Sequence, residues 1–259
     1  MKKLAIVKIG GNVIENQVEL DKFITAFSKM AGPKILVHGG GKLATQLASK
    51  LGIESRIKNG RRITDAKSLE VITMVYGGLT NKNIVAKLQA KDCNAIGLSG
   101  ADGDSIHAHK RPVYDIDFGF VGDIDGINTS TIETLLNGQL VPVFCAMTHD
   151  GLGQLLNTNA DTIASELAIG MSEAYDTTLY YCFEKKGVLM DMENENSVVK
   201  HINPSSYKEL LDSKIIADGM LPKLENCFHA LHKNVGKVCI GDISMIEPEA
   251  IQYTTISLY

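Results

Sequence analysis

Leu4-Ala5-Ile6-Val7-Lys8-Ile9-Gly10-Gly11 opens the chain with an apolar run that stops at two glycines. Such a run reads as a buried strand entering a tight turn, where the backbone comes close to a ligand. Lys8 interrupts it. An ammonium in a buried strand needs an anion, because desolvating the charge costs several kcal/mol. Free N–H groups at a glycine turn form a concave donor surface that suits phosphate. The plainer alternative is that Lys8 lies near the strand end and reaches solvent along its aliphatic stem.

The pattern then repeats. Leu20, Phe23, Ile24, Phe27 and Met30 space an amphipathic helix that Gly32 and Pro33 end. Residues 35–37 form a short apolar strand ending in Gly39-Gly40-Gly41, and Leu43, Leu47 and Leu51 mark the next helix. Strand, glycines, helix, twice over, is the alternation of a parallel sheet with crossover helices. Ligands of such sheets bind beyond the carboxyl ends of the strands, so both glycine turns are expected to face one crevice.

Further on, Thr64 and Asp65 cap a long helical region reaching Lys91, with Gly77-Gly78 as a kink or break inside it. Residues 95–98 form a strand, and residues 105–124 change to a β-rich, turn-rich texture that reads as hairpins. A short helix over 131–136 and a strand over 140–147 follow, and Asp150-Gly151 signals a hairpin turn. Helices are expected over 161–169, from Asn203-Pro204 onward and over 220–234. Strands are expected over 177–183, 238–240 and 254–258. Gly170-Met171-Ser172 is a hinge-like break that suggests a lobe boundary.

Composition narrows the function. With 259 residues the chain can bury about three quarters of its unfolded surface and needs no covalent staples. Its five cysteines are scattered, odd in number and free of C-x-x-C pairs, which fits reduced cytoplasmic thiols better than disulfides or a zinc site. A net charge of -4 leaves no basic stripe for nucleic acid. The six residues between Lys3 and Gly10 are too few for a signal-peptide core, and no apolar run approaches a membrane span. The reading is a soluble cytoplasmic protein.

Gly39-Gly40-Gly41-Lys42-Leu43-Ala44 formally matches a dinucleotide fingerprint, but basic residues occupy 58–62, where the answering acid belongs. A Walker A loop is excluded, since Leu43 follows Lys42. What remains is an anion cradle at a helix N-terminus, and two of them suggest a polyanion. Asn157-Thr158-Asn159-Ala160-Asp161 is either a functional stretch or an Asx turn with a helix cap. Lys223, in Asp218-Gly219-Met220-Leu221-Pro222-Lys223, falls in the first turn of a helix, where the macrodipole disfavours a cation. Either an anion lies nearby or the lysine is solvated. His107 and His109 sit at i, i+2 without an evident third metal ligand, so they read as a solvated strand face. The Asp-rich stretches lack the calcium-loop pattern, and no Gly-x-Ser-x-Gly elbow supplies a nucleophile.

Taken in order, Val7-Lys8-Ile9-Gly10-Gly11, Val37-His38-Gly39-Gly40-Gly41, Asn59-Gly60-Arg61-Arg62-Ile63-Thr64, Gly119-Phe120-Val121-Gly122, Asn157-Thr158-Asn159-Ala160-Asp161 and the stretch ending in Lys223 resemble the amino-acid kinase family over essentially the whole chain. The resemblance implies an α/β fold: a three-layer α/β/α sandwich with a mainly parallel central sheet, carbamate kinase-like, with the β-hairpin insert near 105–124. It implies one kinase domain over 1–259, its N-terminal lobe (about 1–170) binding the acyl amino acid and its C-terminal lobe (about 171–259) binding ATP. The implied reaction carries the γ-phosphoryl group of Mg-ATP to the side-chain carboxylate of N-acetylglutamate, giving an acyl phosphate on the arginine route.

By the same resemblance, Lys8 and Lys223 contact the transferring group and Asp161 holds both in place. Gly10, Gly11 and Gly39 bind phosphate; Gly40, Gly41, Arg62 and Asn157 bind the acyl amino acid. Glu184, Gly187, Val188, Leu189, Ile216, Ala217, Gly219 and Met220 line the nucleotide site. ATP and Mg2+ are the implied cofactors, with the metal carried by ATP rather than held by protein ligands. The implied partners are the small-molecule substrates and a second copy in a homodimer, with no nucleic acid and no membrane.

Two departures qualify this. Phe183-Glu184-Lys185-Lys186-Gly187 stands where the family usually has Thr or Ser, Asp, Val, any residue, Gly, which leaves the adenine and ribose contacts open. Lys42 and Arg61 add positive charge beside the substrate loops, which suggests a larger or more anionic acyl group such as succinyl. The first strand begins at Leu4, without the additional N-terminal helix of arginine-inhibited relatives, so insensitivity to arginine is expected. Carbamate, aspartate or glutamate as acceptor, a non-catalytic sensor of the same fold and a Rossmann dehydrogenase remain the alternatives.

Overall fold

The computed structural model describes residues 1–58, 61–213, 215–216, 220–250 and 252–259, without the side chain of residue 222. Strands are, in chain order, β1 (Lys2–Ile9), β2 (Lys34–His38), β3 (Ile57–Lys58), β4 (Arg61–Arg62), β5 (Ala95–Leu98), β6 (Ile106–Lys110), β7 (Gly122–Ile127), β8 (Val141–Cys145), β9 (Met147–His149), β10 (Leu155–Asn157), β11 (Tyr175–Cys182), β12 (His201–Ile202), β13 (Lys237–Gly241) and β14 (Thr254–Ile256). Helices are α1 (Gly11–Glu15), α2 (Gln17–Lys29), α3 (Gly41–Lys50), α4 (Ala66–Ile72), α5 (Asn81–Gln89), α6 (Thr129–Asn137), α7 (Ala160–Met171), α8 (Pro204–Asp212) and α9 (Leu221–His232). The fold is α/β with a mainly parallel central sheet.

The chain divides into two compact units. The first comprises Met1–Ile35 and Ala164–Tyr259, so the opening strand groups with the C-terminal part of the chain. In it β11 pairs in parallel with both β1 and β13, while β14 runs antiparallel to β13 and parallel to β12. Leu4, Ile6, Val7 and Ile9 of β1 are buried, on both faces of the strand, as expected where both faces are covered. Asn16 caps α2, its Oδ1 accepting from the N–H groups of Val18 and Glu19. The other end of α2 is closed by a buried ammonium. Lys34 Nζ donates to the carbonyls of Phe27, Ser28 and Met30 at 2.7–2.9 Å, placing its charge where the helix dipole favours a cation.

The second unit, Leu36–Ile163, holds β8 between β2 and β5, all parallel. Beside these is a four-stranded sheet in the order β10-β9-β6-β7. The β-rich stretch expected near 105–124 is therefore half of a larger sheet that also takes in 147–157. The expected strand over 140–147 is two strands, β8 and β9, separated at Ala146. Gly77-Gly78 does not break the helix before it. Residues Thr73–Thr80 continue from α4 into α5 as a π-helix, a wider turn found often at functional sites.

Candidate active site

In the first unit the turns that follow β1 and β11 are tied to each other. Gly10 N–H donates to the carbonyl of Cys182 at 3.0 Å, and Asn12 Nδ2 donates to Glu184 Oε2 at 2.6 Å. The first bond changes one expectation. With the Gly10 N–H engaged by Cys182, the donors left for an anion at this turn begin at Gly11, the first residue of α1.

Lys8 stands opposite Tyr181 in the β1–β11 register and is half-buried. Burial, and then Asp242, push the neighbouring Cys182 thiol up, while the Lys8 ammonium works against both. Lys223 lies in the first turn of α9, as the sequence indicates. Its Nζ is 5.2 Å from the centre of the Phe183 ring, a cation–π contact from the turn that departs from the family pattern.

The rest of that turn faces its own unit. Lys185 pairs with Glu195 at 3.3 Å, and Lys186 donates to Asn196 Oδ1 at 3.2 Å. Gly187 has no room for a side chain, since a Cβ there would lie 2.5 Å from Thr254 Oγ1 and 3.0 Å from Thr254 N. Val188 N–H donates to that same hydroxyl at 2.8 Å. Val188, Leu189 and Ile216 are buried in the core, Glu184 is exposed, and Met220 precedes α9. The expected nucleotide contacts from Ala217 and Gly219, with Asp218, lie outside the described residues.

In the second unit Gly39, Gly40 and Gly41 join β2 to α3. Tyr76, from the π-helix, packs on Gly40 so closely that a Cβ at residue 40 would be 3.0 Å from its ring. Arg62 is held from three directions. Its Nη2 donates to the Gly41 carbonyl at 2.8 Å and Thr45 Oγ1 at 2.7 Å, and its Nη1 donates to Ser55 Oγ at 2.8 Å. Burial raises the pKa of the Tyr76 hydroxyl, and the nearby Arg62 charge opposes that rise. Arg62 and the glycine turn thus form one preorganised unit, with planar donors suited to a carboxylate.

Asn157 is joined to the same loop. Its Nδ2 donates to Thr64 Oγ1 at 3.0 Å and its N–H to the Phe120 carbonyl at 2.9 Å. Phe120 N–H in turn donates to the Thr64 carbonyl at 2.7 Å. Asn59 and Gly60 of the motif that contains Arg62 are outside the described residues. Asp161 is in the first turn of α7, where the dipole favours a carboxylate, and Asn159 Oδ1 caps that helix by accepting from Asp161 and Thr162 N–H. Of the two added charges, Lys42 and Arg61 are both exposed. Arg61 lies within electrostatic reach of Asp123, whose carboxyl Arg111 holds below the usual range.

Sequence reasoning gave His38 no role, and the structure supplies one. Its Nδ1 is 2.8 Å from the Gly39 carbonyl, and Asn81 Nδ2 is 3.0 Å from its Nε2 while also donating to Val143 O. This arrangement fits a neutral ring with its proton on Nδ1, fixing the first carbonyl of the glycine turn. Complete burial lowers its pKa to about 4, against the Gly39 contact that raises it. The folded value lies below the unfolded one, so the contribution is fully present above about pH 6.5 and is lost as pH falls through that window to about 4. The expected loss by pH 5 is on the order of 2 kcal/mol. Urea unfolding at pH 7 and pH 5 checks it. His38→Asn removes that part of the slope if the ring causes it, and an unchanged slope in the variant assigns the acid sensitivity elsewhere.

These elements define an α/β protein whose glycine turns, lysines and arginine are suited to anions and phosphates. Residues 3–242 match the model of the Amino acid kinase family, and the chain belongs to that family. It is 54% identical to the acetylglutamate kinase of Phocaeicola vulgatus over 245 residues, 95% of each chain. It is 52% identical to the acetylglutamate kinase of Cytophaga hutchinsonii over 241 residues, 93% of this chain and 91% of that one. Among solved structures it is similar to smu.665 from Streptococcus mutans, with a TM-score of 0.78, 26% identity and 99% of both chains covered. The carbamate kinase of Giardia has a TM-score of 0.68 at 14% identity, over 100% of this chain and 99% of that one, and this likeness concerns the fold alone.

Proposed function

We propose that this chain transfers the γ-phosphoryl group of ATP to the side-chain carboxylate of N-acetyl-L-glutamate, the activity of an acetylglutamate kinase, on the route to arginine. The observation that carries this reading is its identity of about half with acetylglutamate kinases over nearly its whole length. The chemistry agrees. A carboxylate nucleophile is already ionised at pH 7, so no general base is needed, and phosphoryl transfer rests on positioning and charge stabilisation.

In this reading the acyl amino acid belongs to the N-terminal half of the chain and ATP to the C-terminal half. Arg62 binds the α-carboxylate by exchanging one of its two Nη2 contacts, to Gly41 O or Thr45 Oγ1, for a carboxylate oxygen, and Asn157 binds the acylamino group, with Gly40 and Gly41 at the attacking carboxylate. Gly11 and Gly39 offer N–H donors to phosphate. Lys8 and Lys223 neutralise charge that develops on the transferring group, and Asp161 orients the two ammonium groups. Lys223 then exchanges the Phe183 ring for phosphate oxygens. Mg2+ enters with ATP, as the counter-ion of its phosphates. The protein works in the cytoplasm as a homodimer; exposed Met74 and Leu79 on the π-helix offer apolar surface for the second copy. Among the described residues no helix is long and apolar enough to cross a membrane.

ADP release with Mg-ATP, compared across N-acetylglutamate, N-succinylglutamate, free glutamate, aspartate and carbamate, tests the acceptor. N-acetylglutamate is expected to give the highest kcat/KM. Preference for the succinyl compound would move the acyl assignment to the larger anion, which exposed Lys42 and Arg61 would then serve. ATP binding with no turnover on any acceptor would support the sensor reading.

A further inference from the structure

Three side chains that the proposed reaction does not use meet in the second unit. His107 is on β6, His149 ends β9, and Asp104 closes the short 3-10 turn Asp102–Asp104. His107 and His149 are direct partners across the parallel pair β6–β9 and so share a face. Their rings stand edge to face, with centroids 5.5 Å apart and planes at 84°. Asp104 Oδ1 is 2.8 Å from His149 Nε2 and 3.7 Å from His107 Nδ1. One ligand atom from each residue lies within 4.8 Å of the other two.

Two further features distinguish this cluster from a chance surface group. His149 Nε2 is closed off from solvent, and although the Asp104 oxygen is near, it is off the line of a hydrogen bond, so the buried nitrogen makes none. A polar atom left in that state is costly. The two rings are also seated by one residue. Gly151, with φ +71, donates its N–H to His149 Nδ1 at 3.2 Å, and a Cβ on it would lie 2.5 Å from His107 Cε1. Only glycine lets that turn rest against His107 while it holds His149.

We propose that Asp104, His107 and His149 bind a transition-metal dication of the zinc class. Two imidazole nitrogens and a carboxylate oxygen suit Zn2+, Co2+ or Ni2+ rather than the hard Mg2+ that accompanies ATP. Three protein ligands leave a fourth position for water. Ligation through His149 Nε2 moves the ring proton to Nδ1, where the Gly151 N–H now points. Binding therefore reorients the turn after β9, which has positive φ at Gly151 and Gly153, and is weaker than at a closed four-ligand site. The ion would fasten the 3-10 turn to β6 and β9. Since β9 pairs with β10, it would brace the strand that ends in Asn157.

The test uses the full chain stripped of metal, titrated with Zn2+ against a chromophoric chelator and with Co2+ followed by visible absorption. One ion per chain is expected. His107→Asn and His149→Ala are each expected to weaken binding by about tenfold or more and to abolish the Co2+ bands. His109→Ala, whose ring faces Asp125 at 2.6 Å, is expected to bind as the parent does. Because His107 is half-exposed, His107→Asn leaves a folded protein even if the buried position does not tolerate change. No uptake of Zn2+, or uptake by His107→Asn as tight as the parent's, overturns the proposal.

Discussion

Lys8→Ala is expected to lower kcat by about 10²- to 10³-fold, the usual cost of removing one preorganised group that stabilises charge in a transition state. Lys8 sits near the carboxyl end of β1, one residue before Ile9 and the glycine turn whose first N–H is tied to Cys182. The strand keeps its eight-residue pairing with β11 through backbone bonds that the substitution does not touch. Loss of activity is therefore expected without loss of fold. Steady-state ADP release gives kcat, and a thermal melt of the same sample separates catalysis from stability. Lys8→Arg is expected to recover only part of the rate, because a planar fork does not place charge where a compact ammonium does. A variant with parental kcat would remove Lys8 from the reaction.

Gly119→Ala is expected to cost about 3 kcal/mol or more and to raise KM for the acyl amino acid. Gly119 has φ +71, and a Cβ there would fall 2.2 Å from the Thr64 carbonyl oxygen and 2.8 Å from its carbon. Both are backbone atoms, so no rotamer relieves the clash. Thr64 is the residue through which Asn157 is held, and its N–H donates to the Phe118 carbonyl. Any shift of Thr64 therefore displaces Asn157, the side chain proposed to hold the acylamino group. A fall in melting temperature of roughly 6 °C or more is expected for a chain of this size. An unchanged melting temperature with unchanged KM would show that the 119 turn and the Thr64 loop move independently.

The alternation of strand, glycine turn and helix was legible because each step has a local signature. The runs ending at Gly10 and Gly39 carry β1 and β2, and the spacing from Leu20 to Phe27 carries α2. What escaped the sequence depends on contacts between distant residues. α1 begins at Gly11 directly after the strand, too short to show a period. The glycines at 77 and 78 look like a break, yet α4 and α5 on either side keep the helix running through a π-turn. The antiparallel β14 follows from its pairing with β13, not from its own residues.

The candidate site divides in the same way. The glycine turns and Lys8 are visible because their types are unusual where they stand, whereas Arg62 and Asn157 enter through the resemblance to the family. His38 is visible as a residue but not as a neutral one, since its state comes from burial and from Asn81. Lys185 and Lys186 mark in sequence only a departure from the family's nucleotide turn, and the structure pairs them with residues 195 and 196. The partners of His107 are not legible beside it in sequence, because they come from the neighbouring strand, His149 on β9, and from the turn at Asp104.

The claim that the γ-phosphoryl group passes to a side-chain carboxylate is tested most directly by trapping the product. Incubation of the protein with Mg-ATP, N-acetylglutamate and hydroxylamine converts an acyl phosphate to a hydroxamate. The account predicts γ-hydroxamate of N-acetylglutamate formed in step with ADP, and its loss in Lys8→Ala. ADP accompanied by inorganic phosphate, with no hydroxamate, would contradict it.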